Sequence, residues 1–265
     1  MNARYIDAHC HVQFEQYDED RDALIEQMHE QCVAAVVVGC DMESSRKAVA
    51  LAEEYEDIYA VVGIHPTDTD ESFDTDDLFA LAKNKKVVAI GECGLDYFRP
   101  TAVEESEKER QKLAFSRQIA LAAEIDKPLV IHARPSKGTQ DAYHDVLEIL
   151  TEAKEMYPNL RGDVHFFVGG TKEAEAFIAL GFTLSFTAVI TFARDYDDVI
   201  RAIPLTSILA ETDAPYVAPL SRRGQRNDPL AVIEVVEKIA EIRGEDPEAV
   251  RIALLANTHR LFALP

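Results

Sequence analysis

Short apolar runs alternate with longer amphipathic segments along the whole chain. The short runs are rich in β-branched residues and bounded by polar ones, which is typical of strands. Eight of them are predicted to be strands: residues 5–7, 34–38, 59–63, 87–91, 129–132, 163–167, 183–186 and 208–211. The intervals carry apolar residues at helical spacing, as at Phe115, Ile119 and Ala122. The pattern therefore predicts eight strands with helices between them.

Eight such alternations favour a closed parallel barrel, because each pair of neighbouring parallel strands needs a crossover helix. We predict the α/β class and a TIM-like (β/α)8 barrel that takes up residues 1–265 as one domain, a common length for this fold. Asp246 and Pro247 have the N-cap and first-turn pattern of a further, C-terminal helix. The alternative is an open doubly wound sheet, which normally has a glycine-rich turn after its first strand. Here that turn is Ala8-His9-Cys10-His11.

Composition narrows the range of partners. No apolar run approaches the roughly 18 residues of a membrane helix, and the N-terminus lacks the pattern of a secretory signal. The four cysteines form no C-x-x-C pair, which favours reduced thiols and a cytoplasmic protein. No obligate protein partner is evident. The formal charge of −21 argues against broad, non-specific binding to nucleic acid. A nucleic-acid substrate would need a local basic patch or bound metal ions.

Residues that can bind metal ions lie at the ends of five predicted strands. They are His9 and His11 after the first strand, Glu92 after the fourth, His132 on the fifth, His165 on the sixth and Asp213 after the eighth. The two histidines of the H-x-H pair point to one face, because side chains alternate along a strand. The carboxyl ends of barrel strands form one rim, where active sites of this fold are built. The sequence therefore predicts a metal centre at that rim.

The predicted ligands also limit the metal. Imidazole and carboxylate groups without clustered cysteines suit Zn, Mn, Fe or Mg. Six ligands exceed the number that one tetrahedral ion with an open position requires. They suit two divalent ions bridged by a carboxylate, an arrangement used to activate water for the hydrolysis of phosphate esters.

Several residues near the predicted rim are candidates for substrate binding. His65 precedes Pro66 at the end of the third strand and could contact a phosphate or the nucleophile. Arg134, and Arg222 and Arg223 in the loop 221–226, could clamp a phosphate, for which the planar guanidinium is well suited. The alternative for that loop is a solvated basic segment on a very acidic protein.

Longer motifs give the chain a resemblance to a known family. They are Tyr5-Ile6-Asp7-Ala8-His9-Cys10-His11, Gly63-Ile64-His65-Pro66, Ile90-Gly91-Glu92-Cys93-Gly94-Leu95-Asp96, Leu129-Val130-Ile131-His132-Ala133-Arg134, Glu211-Thr212-Asp213-Ala214-Pro215-Tyr216 and Arg226-Asn227-Asp228-Pro229. In order and spacing they resemble the TatD family of metal-dependent deoxyribonucleases, within the amidohydrolase superfamily. The resemblance extends over essentially the whole chain.

The resemblance implies a set of roles. One ion would bind His9, His11, Glu92 and Asp213, and a second would bind Glu92, His132 and His165. Glu92 would bridge the ions, and Asp213 would accept the proton of the attacking water. The resemblance implies an exonuclease that cleaves DNA from a single-stranded end.

The chain departs from the family pattern after two of these histidines. Phe166 and Val168 replace a usual cysteine and a usual serine or threonine, and Pro135 replaces an aspartate that many members have. These departures leave the predicted ligands intact but put the substrate preference in doubt. The alternative is therefore an amidohydrolase or deacylase that acts on a small ester or amide. A non-catalytic metal-binding scaffold is a third hypothesis, which a complete ligand set with a candidate base disfavours.

Overall fold

The computed structural model describes residues 3–69, 75–99 and 104–265, and within them eight parallel strands form a nearly closed barrel. The strands are β1 (Tyr5–Cys10), β2 (Val33–Val38), β3 (Ile58–Val62), β4 (Val87–Asp96), β5 (Leu129–Arg134), β6 (Gly162–Val164), β7 (Thr183–Phe186) and β8 (Ile208–Ala210). Each pairs in parallel with the next along the chain. The predicted TIM-like fold is confirmed, and each predicted strand overlaps an observed one.

The helices lie between the strands as the periodicity predicts. They are α1 (Arg21–Glu30), α2 (Met42–Glu54), α3 (Thr75–Ala82), α4 (Glu105–Glu124), α5 (Asp141–Met156), α6 (Thr171–Ala179), α7 (Asp197–Ala202), α8 (Val232–Arg243) and α9 (Pro247–Phe262). The predicted cap of the C-terminal helix is confirmed, because the Asp246 side chain accepts a hydrogen bond from the backbone N–H of Ala249 at 2.9 Å. No helix among the described residues combines the length and the apolar character needed to cross a bilayer.

Alternation along β2 explains how the barrel packs on both faces. Ala34, Val36 and Val38 belong to a cluster inside the barrel, whereas the residues between them join the larger core under the helices. Side chains that alternate across a strand divide an apolar run between these two cores. Leu261 and Phe262, at the end of α9, belong to the inner cluster. The C-terminal helix therefore contributes to the core inside the barrel.

The barrel closes through backbone contacts between β1 and the segment after β8. The backbone N–H of His11 donates to the Ala214 carbonyl at 2.7 Å, and the N–H of Asp213 donates to the His9 carbonyl at 2.9 Å. The open-sheet alternative is thus wrong. Closure also brings three predicted metal ligands together, although more than 200 residues separate the two segments.

Candidate metal centre

Glu92 lies at the middle of a cluster of imidazoles, inside the barrel at the carboxyl ends of the strands. Its side chain projects from β4, where the pairing with β5 shifts register between Ile90 and Cys93. Oε1 of Glu92 lies 2.8 Å from Nδ1 of His132 and 2.9 Å from Nε2 of His165. The other oxygen, Oε2, faces the H-x-H pair and lies 3.5 Å from Nε2 of His9. One carboxylate therefore contacts histidines on both sides.

Asp213 completes the side of the cluster that contains the H-x-H pair. Its Oδ1 lies 3.4 Å from Nε2 of His11 and 3.9 Å from Nε2 of His9. The backbone at Asp213 has a φ of 52°, in the left-handed region. Non-glycine residues adopt this conformation rarely, and asparagine and aspartate are among those that tolerate it best. The six predicted metal ligands thus converge on one site, each from its expected strand.

The spacing of the imidazole nitrogens fits divalent metal ions. Nε2 of His9 lies 3.3 Å from Nε2 of His11, and Nδ1 of His132 lies 3.3 Å from Nε2 of His165. Metal–nitrogen bonds of about 2.0–2.1 Å in a tetrahedral arrangement separate two nitrogens by about 3.3 Å. Each histidine pair also faces an oxygen of Glu92. The residues present therefore fit a cation on either side of this carboxylate.

The buried carboxylates and imidazoles of the cluster shift one another's pKa values. Burial alone would raise the pKa of Glu92, but the imidazoles of His165 and His65, and the hydrogen bonds from His132 and His165, hold this pKa well below its usual range. Burial and the neighbouring His165 lower the pKa of His9. Burial lowers the pKa of His11, His132 and His165, but the neighbouring carboxylates outweigh burial and raise each of these pKa values. Metal binding to these imidazoles would therefore release protons from the cluster.

His65 contacts Thr67 through its Nδ1 atom. The backbone N–H of Thr67 donates to Nδ1 of His65 at 3.2 Å, and the Thr67 hydroxyl lies 2.7 Å from the same nitrogen. Burial, followed by the neighbouring His132, lowers the pKa of His65 to about 3. In a neutral ring whose Nδ1 accepts, Nε2 carries the proton. Nε2 of His65 lies 3.6 Å from Oε1 of Glu92, beyond hydrogen-bond distance, and faces the site.

Sequence reasoning missed two buried carboxylates behind the histidines. Oδ2 of Asp96, at the end of β4, lies 3.4 Å from Nε2 of His132. Oε1 of Glu211 lies 3.5 Å from Nδ1 of His165 and accepts a hydrogen bond from the backbone N–H of Phe166 at 2.6 Å. The alternation of side chains along a strand could have identified these two carboxylates from the sequence. Asp96 and Glu211 lie an even number of residues from Glu92 and Asp213, on the same strand or strand end.

The cluster forms the floor of an open cavity of about 660 Å³. Arg134, predicted to lie near the rim, and Arg99 both line this cavity. The guanidinium of Arg134 lies 4.0 Å above the ring of Phe98. His65 also lines the cavity. The structure therefore places two arginines at the mouth, on the loop after β4 and at the end of β5.

The structure does not bring the predicted arginine loop to the cavity. Arg222 forms an ion pair with Asp228, and Arg223 lies 4.0 Å from the centre of the Phe192 ring. Neither is among the described residues that line the cavity. Arg226, in the same loop, pairs with Asp20. The local sequence shows the positive charges, but it does not show that Asp228, Phe192 and Asp20 contact these three arginines.

Comparison with known proteins agrees with this geometry. Residues 6–263 match the family described as TatD related DNase. The chain belongs to the TatD family. It is a metal-dependent hydrolase, and its cluster of imidazoles and carboxylates lies where TIM-like barrels have their active sites.

Similar proteins extend over almost the same length. The uncharacterized metal-dependent hydrolase YabD of Bacillus subtilis is 38% identical over 264 residues, covering 98% of this chain and 99% of that protein. The protein named 3′-5′ ssDNA/RNA exonuclease TatD of Erwinia billingiae is 34% identical and covers 94% and 95%. The crystal structure of YjjV, a TatD homologue from Escherichia coli, superposes with a TM-score of 0.88 at 31% identity and 100% coverage of both chains.

Proposed function

We propose that this TatD-family hydrolase is an exonuclease that cleaves phosphodiester bonds at single-stranded DNA ends. The observation that carries the proposal is the position of the Glu92 cluster at the floor of an open cavity whose mouth contains Arg99 and Arg134. An anionic backbone could enter between the two guanidinium groups and reach the cluster. A relative named as a 3′-5′ ssDNA/RNA exonuclease, 34% identical over nearly the whole chain, supports this substrate class.

We further propose two divalent ions, of Zn, Mn or Mg, as cofactors. His9, His11, Glu92 and Asp213 would hold one ion, and Glu92, His132 and His165 would hold the other. Bound ions would neutralise charge that develops on the phosphoryl oxygens and would lower the pKa of water. The matched 3.3 Å nitrogen pairs on the two sides of Glu92 support the assignment.

The protein's own side chains supply the remaining functions. Asp213 is partly exposed to the cavity and would accept the proton of the attacking water as a general base. His65 would donate its Nε2–H to a phosphoryl oxygen, because its Nδ1 is already occupied by Thr67. Arg99 and Arg134 would orient the phosphate next to the scissile one. Their fork-shaped donors suit such contacts.

A substrate panel tests the proposal. Purified protein supplied with Mg²⁺, Mn²⁺ or Zn²⁺ should shorten single-stranded DNA stepwise from an end and leave a circular single strand intact. A panel of small esters and amides tested in parallel addresses the alternative, an amidohydrolase or deacylase. The size of the cavity, about 660 Å³, favours that alternative because it is typical of a small-molecule site. Turnover of a small ester without any cleavage of DNA would overturn the exonuclease proposal.

Replacing Glu92 tests the proposed ions. The change Glu92→Ala removes the carboxylate that contacts both histidine pairs, so we expect both activity and bound metal to fall to near background. Elemental analysis of the dialysed protein measures the metal directly. Glu54→Ala, at the end of α2 and outside the cluster, is the matched control and should retain both properties. Full metal content in a folded Glu92→Ala protein would contradict the shared-carboxylate arrangement.

A further inference from the structure

The cavity above the Glu92 cluster has two chemically different sides. The cationic side consists of Arg99 and Arg134. The apolar side includes Phe166, Val168, Tyr196 and Val217, which line the cavity and are only partly buried, and Phe14 and Tyr216 also line the cavity. We call the first four of these residues the apolar wall. Their exposed surface faces the same space as the metal-binding cluster.

Strand order explains why the two sides are separate. Arg99 follows β4 and Arg134 is the last residue of β5, and these two strands are neighbours in the barrel. The apolar wall comes from the segments after β6, β7 and β8, which are also consecutive. The carboxyl ends of neighbouring strands form adjacent sectors of one rim. The cationic and apolar residues therefore occupy different sectors, with the Glu92 cluster between and below them.

The backbone holds Phe166 firmly in the wall. Its φ is 46°, in the left-handed region, and its N–H donates to the buried Glu211 carboxylate at 2.6 Å. Such a conformation is costly for an aromatic residue and persists only where surrounding contacts enforce it. The Phe166 ring also packs edge-on against the imidazole of His165, at 6.3 Å between ring centroids and 86° between planes. The aromatic side chain is therefore fixed next to a proposed metal ligand.

We propose that the apolar wall is a subsite for the nucleobase of the terminal nucleotide; this inference rests on the proposed exonuclease function. A nucleotide is a ligand that combines an anionic group with a flat apolar one. With its phosphate at the Glu92 cluster and the next phosphate at Arg99 and Arg134, the base would lie against the apolar wall, which is the part of the lining formed by consecutive strand ends away from the arginines. Bases of any sequence stack on aromatic side chains, because every base has a π-face. The subsite would therefore recognise that a base is present, with little preference among bases.

A pair of small ligands tests the subsite without relying on turnover. Deoxyadenosine 5′-monophosphate has a base where 2-deoxyribose 5-phosphate has an anomeric hydroxyl, and calorimetry with the full chain in Mn²⁺ buffer measures both affinities. We expect the nucleotide to bind at least about tenfold more tightly, from the usual strength of base stacking. Tyr196→Ala should remove most of the difference in affinity between the two ligands, whereas Tyr196→Phe should preserve this difference. Tyr55→Ala replaces a tyrosine outside the cavity lining and should also keep it.

The outcomes separate this inference from the proposed function. Equal affinities for the two ligands in the wild type, or a ratio unchanged by Tyr196→Ala, would overturn the nucleobase subsite. A wild type that distinguishes the ligands but cleaves no single-stranded DNA would instead refute the exonuclease and retain the subsite. For cleavage, Tyr196→Ala should lower kcat/KM about tenfold on an ordinary single strand. It should have little effect on a strand whose terminal residue is abasic, and equal losses on both strands would also overturn the subsite.

Discussion

At the scale of single residues, the cluster is organised by which nitrogen of each histidine faces Glu92. His132 presents Nδ1 to Glu92 and His165 presents Nε2, and the opposite nitrogen of each ring lies 3.4–3.5 Å from a buried carboxylate. The opposite nitrogen of His11 instead lies 2.7 Å from the Val38 carbonyl. Such outer partners fix the tautomer and orientation of a metal-binding imidazole. Buried groups behind the ligands therefore contribute to the site.

Asp96→Asn tests one of these outer partners. Nε2 of His132 has no hydrogen-bond partner within the described part of the chain, and the carboxylate of Asp96, 3.4 Å away, would receive its proton. Losing that charge should weaken metal binding by about 10- to 100-fold, measured by calorimetric titration with Mn²⁺. Asparagine retains an oxygen for the backbone N–H of Phe98, which Asp96 accepts at 3.0 Å. Asp126→Asn, on an exposed ion pair, is the control. Unchanged affinity would show that Asp96 does not position His132.

Asp213→Asn tests the proposed general base. Asparagine has the same shape and tolerates the left-handed backbone at this position, so the protein should fold normally. The amide cannot accept the proton, and we expect kcat to fall by about 100-fold or more. Because Asp213 is also a proposed ligand, metal content must be measured in the same preparation. Near-native turnover with normal metal content would assign the base to another group.

At the scale of elements, β4 and β5 pack so closely that one position accepts only glycine. Gly94 has a φ of +136°, and a Cβ built on it would lie 2.1 Å from the carbonyl oxygen of His132. A contact this short requires one of the strands to move. The close approach of the two backbones therefore helps to fix His132 relative to Glu92 on the neighbouring strand.

Gly94→Ala should consequently damage both stability and the site. We expect the free energy of unfolding to fall by about 3 kcal/mol or more, since backbone strain of about 1–3 kcal/mol adds to the clash. Urea denaturation measures this change. Gly138→Ala is a matched control, because Gly138 also has a positive φ, +80°, but no atom lies within 4 Å of its added Cβ. It should cost only about 1 kcal/mol. Equal losses for the two variants would show that strand packing at Gly94 is not tight.

At the scale of the whole molecule, a protein of charge −21 must bind an anionic substrate by a few local contacts. Of the arginines predicted to clamp phosphate, Arg134 lies at the cavity, whereas Arg222 and Arg223 have partners elsewhere. The negative electrostatic field of the protein repels phosphate at long range. Affinity for DNA must therefore come from the arginines at the mouth of the cavity and from the proposed metal ions. This charge distribution makes non-specific binding along a strand weak.

Salt dependence measures the number of those contacts. Each phosphate contact lowers the logarithm of affinity by about 0.7 per decade of salt for a single strand, so two arginines give a slope of about −1.4. Binding of a cleavage-resistant phosphorothioate single strand, followed by fluorescence anisotropy at constant Mn²⁺, should show this shallow slope. Arg134→Gln should reduce it by about 0.7, and Arg223→Gln should leave it unchanged. A slope steeper than about −3 would reveal further phosphate contacts.

The sequence by itself determined the element types, the barrel and the strand ends that carry the proposed metal ligands. The convergence of His9, His11, Glu92, His132, His165 and Asp213 could be predicted because local periodicity identifies strands, and strand ends in a parallel barrel share one rim.

Only the tertiary structure decided which partner each polar group has. It placed Asp96 and Glu211 behind the histidines, set Thr67 against Nδ1 of His65, and placed Arg222 and Arg223 away from the cavity. Periodicity shows which face of a strand a side chain occupies. Hydrogen bonds and ion pairs depend on distances of a few ångströms between segments that lie far apart in the chain, and no local pattern records those distances.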